Sequence, residues 1–258
     1  MPGGGCVLQA LLRNPLADPY LLGVSSGAAL GAVAGTALGL AFPAPFAVMG
    51  ALLALALVLA LSRQGNSVHL SILVLSGAAV HSVASSAMTL FLLRETGRTQ
   101  ANGLYFWLLG GLTALPWNTL GILIILAVLL SAAFLFLAPT LNIMSLGRES
   151  AQSLGLSVDK VLWGLLLLTA ASTGLAVTFN GMIPFIGLLV PAMARTWGGG
   201  DHRRVLPLSL YLGAVFTMTA DAIGRWILAP REIPAGVVAA LVGAPFFFLM
   251  VRRAKGKL

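Results

Sequence analysis

The stretch from Pro19 to Ser62, PYLLGVSSGAALGAVAGTALGLAFPAPFAVMGALLALALVLALS, contains 44 residues and no Asp, Glu, Lys or Arg. As a single α-helix it would be roughly 66 Å long, whereas the hydrocarbon core of a bilayer is about 30 Å thick. The prolines at 43 and 45 interrupt a helix, because proline has no backbone N–H. The stretch therefore predicts two membrane-spanning helices, at 21–41 and 46–61.

The composition of the whole chain agrees with this interpretation. Of the 258 residues, 59% are apolar and 9% are charged, and the mean hydropathy is +0.98. A typical soluble domain is about 45–50% apolar and about 25% charged. These values exclude an ordinary soluble enzyme, a disordered chain and a disulfide scaffold. A membrane β-barrel is disfavoured as well, because barrel strands alternate polar and apolar residues.

Later uncharged runs predict six further spans, at 68–93, 117–138, 161–179, 184–197, 206–228 and 234–251. The segment between 93 and 117 contains Trp107 and the pair Gly110-Gly111, which favours an interfacial loop or a short helix. The apolar residues 6–12 are too few to cross. The predicted fold class is therefore all-α, a polytopic transmembrane bundle with eight complete spans.

Basic residues are distributed unequally between alternate loops, which predicts the orientation of the chain. One set of loops contains three basic residues: Arg94, Arg98 and Arg231. The other set contains eleven: Arg13, Arg63, Arg148, Lys160, Arg195, Arg203, Arg204, Arg252, Arg253, Lys255 and Lys257. Lys and Arg are enriched in cytoplasmic loops, so the second set and the C-terminus are expected in the cytoplasm. The scattered charges form no dense basic patch for nucleic acid.

Asp221 and Arg225 are the only oppositely charged residues inside one predicted span. Because they are four residues apart, they share a helix face and can form an ion pair. Charges inside a membrane are functional candidates by default. A pair that only neutralises itself near the outer interface is the other interpretation, and the sequence leaves both open.

Five glycines, Gly23, Gly27, Gly31, Gly35 and Gly39, recur every four residues. This spacing predicts a flat ridge along one helix, at which a second helix can approach closely. The first of them also begins a G-x-S-x-G pattern, which is typical of hydrolase nucleophiles. No strand precedes that pattern and no His and acid partners accompany it, so the hydrolase interpretation is disfavoured.

The sequence contains few residues that could bind a metal or act in catalysis. It has one cysteine, Cys6, and three dispersed histidines, His69, His81 and His202. No disulfide, metal site, cofactor or catalytic set is predicted from these residues.

The longest polar segment, residues 139–160, lies on the predicted cytoplasmic side. A short helix is expected at 150–154, with Glu149 near its start and Gly155 as its C-terminal stop. As a bare pattern, this segment would be a solvated connector.

Residues 13–27, RNPLADPYLLGVSSG, resemble the FecCD-type permease family of ATP-driven importers for iron–siderophores, haem and cobalamin. Four later stretches resemble the same family in the same order: 147–155 (GRESAQSLG), 185–191 (FIGLLVP), 201–207 (DHRRVLP) and 232–247 (EIPAGVVAALVGAPFF). The similarity extends from about Val7 to Arg253, which is nearly the whole chain.

The resemblance implies one permease domain, 1–258, of the cobalamin/iron-siderophore type, which usually has ten spans. The first span and the front of the second have no counterpart here, so we expect an N-terminally truncated product. Residues 139–160 would be the cytoplasmic coupling segment.

The family's partners are a second permease subunit (as a homo- or heterodimer), two cytoplasmic ATPases, and a periplasmic or lipid-anchored binding protein. This chain has no G-x-x-x-x-G-K-[ST] loop, so the ATPases would hydrolyse ATP and the permease is not an enzyme. The resemblance implies that the coupling contacts come from Gly147, Arg148, Glu149, Ala151, Leu154 and Gly155. It further implies binding-protein docking at Arg225 and a pathway lined by Phe185, Gly187 and Pro191.

Other functions remain open at the level of the sequence. A self-contained secondary transporter or channel would need a coupling-ion site, for which Asp221 is the only acidic candidate inside a span. A truncated permease without activity is a further alternative. The sequence does not identify the ligand.

Overall fold

The computed structural model describes residues 2–39, 43–64, 67–68, 70–94, 103 and 105–255, and it is almost entirely helical. The helices are α1 (Pro2–Leu11), α2 (Val24–Ala37), α3 (Ala44–Ser62), α4 (Leu70–Arg94), α5 (Trp117–Phe136), α6 (Ala138–Ser145), α7 (Arg148–Ser153), α8 (Val158–Asn180), α9 (Ile186–Gly198), α10 (His202–Ile227) and α11 (Ala235–Lys255). Two antiparallel two-residue strands, β1 (Arg63–Gln64) and β2 (Ser67–Val68), join α3 to α4. The predicted all-α fold class is confirmed. His69, Arg98 and Lys257, which were named above, lie outside the described residues.

Five helices in the described ranges are long and apolar enough to cross a membrane: Ala44–Ser62, Ile72–Phe91, Trp117–Phe136, Val158–Asn180 and His202–Ile227. They coincide with five of the eight predicted spans. Helices α2 and α9 contain 14 and 13 residues, and at about 1.5 Å per residue neither reaches across the hydrocarbon core as a straight helix. The described apolar part of α11, Ala235–Phe248, is also shorter than a full span. The predicted count of eight spans is therefore not confirmed.

Helix α2 is shorter than the predicted span 21–41 because glycine turns end it on both sides. Gly23 precedes it with a φ of 70°, in the left-handed region that favours glycine. After Ala37, the Leu38 N–H bonds the Ala34 carbonyl, and Gly39 follows at a φ of 73°. The two outer members of the five-glycine series therefore bound the helix instead of extending its ridge.

A second break separates α8 from α9, between the predicted spans 161–179 and 184–197. Helix α8 ends at Asn180, and Gly181 follows with a φ of 63°. Phe185 then adopts a φ of 66° directly before α9, which makes it one of two non-glycine residues with positive φ in the described part of the chain. The other is Arg13.

Helix α1, which was predicted only as an apolar fragment, lies inside the bundle. Eight of its ten residues are buried, and it packs against α6, α8, α9 and α10. Gly5 contacts the Gly187 carbonyl of α9 so closely that a Cβ would overlap it. Gln9 donates from Nε2 to the Gly187 and Leu188 carbonyls, at 3.3 and 3.4 Å, and its Oε1 accepts from Arg195. Backbone contact and one amide side chain therefore hold α1 against α9.

The inner glycines of the predicted ridge mediate the crossing of α2 and α3. A Cβ on Gly50 of α3 would overlap the Gly27 carbonyl oxygen, and a Cβ on Gly31 would overlap the Phe46 carbonyl oxygen. Gly35 lies further along the same crossing, where a Cβ would meet Pro43 Cβ at 3.1 Å. The prediction of close helix packing is confirmed for these three glycines.

Gly50→Ala should lower the thermal unfolding midpoint of the purified chain, because the added methyl group forces α2 and α3 apart. Overpacking of this kind costs about 1–3 kcal/mol. Gly121→Ala is the matched control, because a Cβ at Gly121 in α5 would have nothing within 4 Å. It should leave the midpoint unchanged or raise it slightly, since alanine favours helix. Equal midpoints for the two variants would contradict the close crossing.

Candidate functional site

The predicted coupling segment contains a short helix with a closed C-terminus. Helix α7 begins at Arg148, two residues before the predicted start, and Gly147 precedes it with a φ of 110°. Gly155 has a φ of 81°, its N–H bonds the Gln152 carbonyl at 2.9 Å, and the Leu156 N–H bonds the Ala151 carbonyl at 3.0 Å. This pair of bonds is the Schellman motif, which satisfies carbonyls at a helix end. The prediction that Gly155 stops the helix is confirmed.

Helix α7 is anchored on one side and exposed on the other. Ala151 is fully buried and packs with Met144 and Val158. In contrast, Leu146 and Leu154 are 59% and 63% exposed, and Glu149 is exposed between them. We call the exposed side chains of residues 146–154 the coupling surface. It combines two large apolar groups with charged groups, a composition suited to a protein partner.

Two arginines brace the coupling segment. Arg148 Nη2 donates to both carboxylate oxygens of Asp159 in α8, at 2.8 and 3.1 Å. Both side chains are exposed, so the pair contributes only about 0–1 kcal/mol. Arg13 approaches from the end of α1, and a Cβ on Gly147 would lie 3.2 Å from its Nη1.

At the far end of α10, Asp221 and Arg225 form the predicted ion pair. Arg225 Nε donates to Asp221 Oδ2 at 2.6 Å, and Nη2 donates to the Leu112 carbonyl at 2.6 Å. The Leu112 N–H donates to Asp221 Oδ1 at 3.0 Å, which closes the ring of contacts. Arg225 Nη1 also lies 3.9 Å from Glu232 Oε1. The pair therefore fastens the 109–113 connection to α10.

The same connection is bonded to two other helices through its backbone. The Gly111 N–H bonds the Asn180 carbonyl at the end of α8, at 2.9 Å. The Gly236 N–H at the start of α11 bonds the Gly110 carbonyl, at 3.1 Å. A cavity of 490 Å³ opens beside these contacts, and Asp221, Arg225 and Glu232 are among its lining residues. In the sequence, only the pair Gly110-Gly111 indicated these backbone contacts, because backbone hydrogen bonds do not depend on a particular side chain.

The three predicted pathway residues lie in or beside α9, and they contact other parts of the same chain. Gly187 and Pro191 are buried, and a Cβ on Gly187 would lie 3.0 Å from an Asp18 oxygen. Phe185 is half-buried and packs against Gly243 of α11. Their role in lining a pathway stays a prediction.

A row of exposed hydroxyl groups on α4 was not predicted. Ser82, Ser86 and Thr89 follow one helix face, and each donates to the carbonyl four residues earlier at 2.9–3.0 Å. His81 lies near this row, with its ring 5.6 Å from that of Tyr20. We call the three hydroxyl residues the α4 polar face. Their i, i+4, i+7 spacing was a usable signal, but uncharged hydroxyls do not stand out in a count of charges.

His202 is buried at the start of α10, where Asn142 of α6 holds it. Its backbone N–H and its Nδ1 both lie 2.8 Å from Asn142 Oδ1. Within the described ranges, no group of three or more His, Cys, Asp or Glu side chains is placed to hold a metal ion.

Asp18, in the connection between α1 and α2, is a buried acid that the sequence did not single out. The Tyr20 N–H donates to its Oδ1 at 2.8 Å, which forms an Asx turn. Burial raises the pKa of this carboxyl group to about 6, and the Tyr20 and Leu188 N–H groups oppose that rise. Asp18 thus places a titratable group against the first turn of α9.

Comparison with known proteins identifies close relatives of the chain. A family model described as the FecCD transport family matches residues 3–253. A cobalamin import system permease protein from Halobacterium salinarum is 40% identical over 251 residues, or 96% of this chain and 67% of that protein. A Fe(3+)-citrate import system permease protein from Bacillus subtilis is 34% identical over 255 residues, or 98% of this chain and 76% of that protein.

A solved structure agrees with this similarity. It is described as an inward-facing conformation of a metal-chelate type ABC transporter, and its sequence is 28% identical. The TM-score is 0.85, and the match covers 98% of this chain and 81% of the other. This chain therefore shares its helical arrangement with that transporter.

Asp18→Asn should remove a pH dependence of stability. The carboxyl pKa is about 6 in the folded chain against an ordinary value of 3.8, so the folded state binds more protons between these values. Stability is therefore lost as the pH rises from about 4 to 6, by about 3 kcal/mol in total. Asparagine keeps the acceptor for Tyr20 and does not ionise. Thermal unfolding midpoints between pH 4 and 7 measure the effect.

The exposed Asp159 supplies the control for this experiment, and Asp159→Asn should retain the wild-type fall in midpoint. The Asp18→Asn chain should be more stable than the wild type at pH 7. A fall of wild-type size in Asp18→Asn would assign the pH dependence to other groups.

Proposed function

We propose, because this chain belongs to the FecCD transport family, that it is the permease subunit of an ATP-binding-cassette importer. Its cargo would be an iron(III)–siderophore complex, or haem or cobalamin, carried across the cytoplasmic membrane. Relatives named for cobalamin and for Fe(3+)-citrate support this range of metal chelates. The working importer would contain a second permease subunit, two cytoplasmic ATPases and a periplasmic or lipid-anchored binding protein.

The observation that carries this proposal is the coupling surface. An ATPase that drives transport must bind the permease at a rigid, exposed element. Helix α7 meets that need, because Ala151 anchors it and the Schellman bonds close it while Leu146 and Leu154 face outward. We assign the ATPase contact to this surface, with Glu149 and Arg148 as its charged members. The charge bias of the loops supports a cytoplasmic position for it and for the C-terminus.

We further propose that Arg225 helps to dock the binding protein. Its side chain is 49% exposed beside the 490 Å³ cavity, even though it fastens the 109–113 connection. An arginine has five N–H donors, so Arg225 can keep its internal contacts and still donate to an acidic side chain of the binding protein. The two interpretations of the pair are therefore compatible.

The second permease subunit would face the α4 polar face, with the pathway between the two copies. Exposed hydroxyl groups on a membrane helix are better placed beside water or protein than beside lipid tails. Phe185, Gly187 and Pro191 remain candidates for the pathway, with α9 supplying its wall.

A self-contained secondary transporter gains little support from the same contacts. Asp221 was its candidate for a coupling-ion ligand, but both carboxylate oxygens are already bonded, one to Leu112 and one to Arg225. An ion would have to displace an arginine to reach it.

Leu154→Ser should weaken ATPase association without unfolding the permease. Removing a leucine that becomes buried in a complex costs about 1.5–3 kcal/mol, which is roughly tenfold or more in affinity. Co-purification of an ATPase from native membranes, quantified by mass spectrometry, is the measurement. Leu38→Ser is the matched control, because Leu38 is 68% exposed at the end of α2, outside the coupling surface. Retention of the ATPase by Leu154→Ser at wild-type levels would refute the assignment.

Arg225→Glu should weaken binding-protein docking and reduce its salt dependence, because attraction to acidic residues becomes repulsion. Arg225→Lys separates the two roles of this residue. It keeps the charge and so most of the docking, but it lacks the planar fork and should unfold at lower temperature. The affinities are measured by binding of the reconstituted permease variants to surface-immobilised binding protein.

Arg231→Glu makes the same charge change at another exposed arginine of the same predicted side. It should leave docking closer to the wild type than Arg225→Glu does. If Arg225→Glu docks as well as the wild type, the ion pair is purely structural.

A further inference from the structure

A cavity of 260 Å³ lies where α1 ends, between that helix, the coupling segment and the start of α10. The polar side chains that line it are those of Gln9, Arg13, Ser145, Arg195 and His202. Two of the lining residues are arginines, and none of the described lining residues is acidic. The cavity therefore favours an anion.

Arg13 reaches this cavity from a backbone conformation that glycine normally occupies. Its φ is 49°, its N–H bonds the Ala10 carbonyl at 3.3 Å, and the Asn14 N–H bonds the Gln9 carbonyl at 3.2 Å. These bonds close the end of α1 in the Schellman pattern, in which the position of Arg13 is usually a glycine. An arginine costs stability at this position, and strained backbone of this kind is common at functional sites.

His202 lines the same cavity and has a buried polar atom without a partner. The residue is 4% exposed. Asn142 Nδ2 donates to Asp201 Oδ1 at 2.6 Å, so Asn142 Oδ1 is an acceptor and His202 Nδ1 must carry the proton. His202 Nε2 has no hydrogen-bond partner among the described residues. Buried polar atoms are nearly always paired, so an acceptor without a partner, in a residue that lines this cavity, points to a ligand there.

We propose that the cavity binds a phosphate anion, either inorganic phosphate or the monoester head group of phosphatidic acid. Guanidinium groups recognise phosphate oxygens through paired N–H bonds. In the contacts described, only one N–H group of Arg195 is bonded to Gln9, so its other donors can bind a phosphate. Inorganic phosphate carries both ionised oxygens and an O–H group at neutral pH, and so does the monoanion of a phosphate monoester, whose second pKa is about 6. The ionised oxygens match Arg13 and Arg195, and the O–H matches the free lone pair of His202 Nε2. A fully ionised carboxylate offers no such donor.

The position of the cavity gives the bound anion a structural consequence. The Arg13 guanidinium lies against Gly147, directly before α7, and Ser145 belongs to the same segment. An anion here would bridge α1, α9 and α10 to the base of the coupling surface.

Binding of labelled inorganic phosphate to the full chain in phosphatidylcholine nanodiscs tests the first source of the anion. The wild type should bind saturably, and Arg13→Gly should weaken binding at least about tenfold, as expected for a lost charge-assisted bond. Glycine suits the left-handed position, so the unfolding midpoint of Arg13→Gly without phosphate should be unchanged or higher. That readout separates loss of ligand from loss of fold.

Nanodiscs that contain phosphatidic acid and no free phosphate test the second source. Native mass spectrometry should find a lipid retained by the wild type and lost from Arg13→Gly. Arg203→Ala is the control in both arms, because it removes an equal charge beside His202 without lining the cavity. Arg13-dependent binding in either arm supports the site and identifies its source. Its absence from both arms, or an equal loss in Arg203→Ala, would overturn the proposal.

Discussion

Close approach of backbone to backbone is the constraint on which the rest of this structure depends. Lipid tails are as apolar as leucine, so membrane helices associate through tight contact and hydrogen bonds more than through the hydrophobic effect. The contact of Gly5 with Gly187 seats α1 against α9, and Gly27 with Gly50 joins α2 to α3. Once α1 occupies the interior, α6, α8, α9 and α10 can all pack on one short helix.

The two ends of the bundle are organised by different chemistry. One end contains the coupling surface, the end of α1 and the 260 Å³ cavity, which Arg13 and Arg195 line. The other end is held by backbone bonds around residues 109–113 and by the Asp221–Arg225 pair. Helices α8 and α10 run between them, and at about 1.5 Å per residue the 23 residues of α8 extend about 35 Å. The ends are therefore joined by continuous rigid elements.

The sequence predicted the features that depend on neighbouring residues along the chain, such as the position and the end of a helix. The apolar runs located α3, α5 and α8 to within about three residues, because bilayer thickness sets their length. Gly155 predicted the end of α7 through its freedom at positive φ, and the quoted motifs predicted the family. The central place of α1 could not be predicted, because three glycines at its start indicate a weak helix and the partner of Gly5 is distant in sequence. The burial of Asp18 likewise depends on α9, and glycine turns shortened α2 below a full span.

The closed end of α7 has a consequence for assembly. A flexible peptide that orders only on contact gives up conformational entropy at the moment of binding, and its affinity falls accordingly. Helix α7 already has its last carbonyls bonded through Gly155 and Leu156 and its buried side seated through Ala151. A protein that docks there meets a surface whose shape is set beforehand. If that partner moves, α7 should therefore move with it as a rigid body and displace α8, because the contact itself bends little.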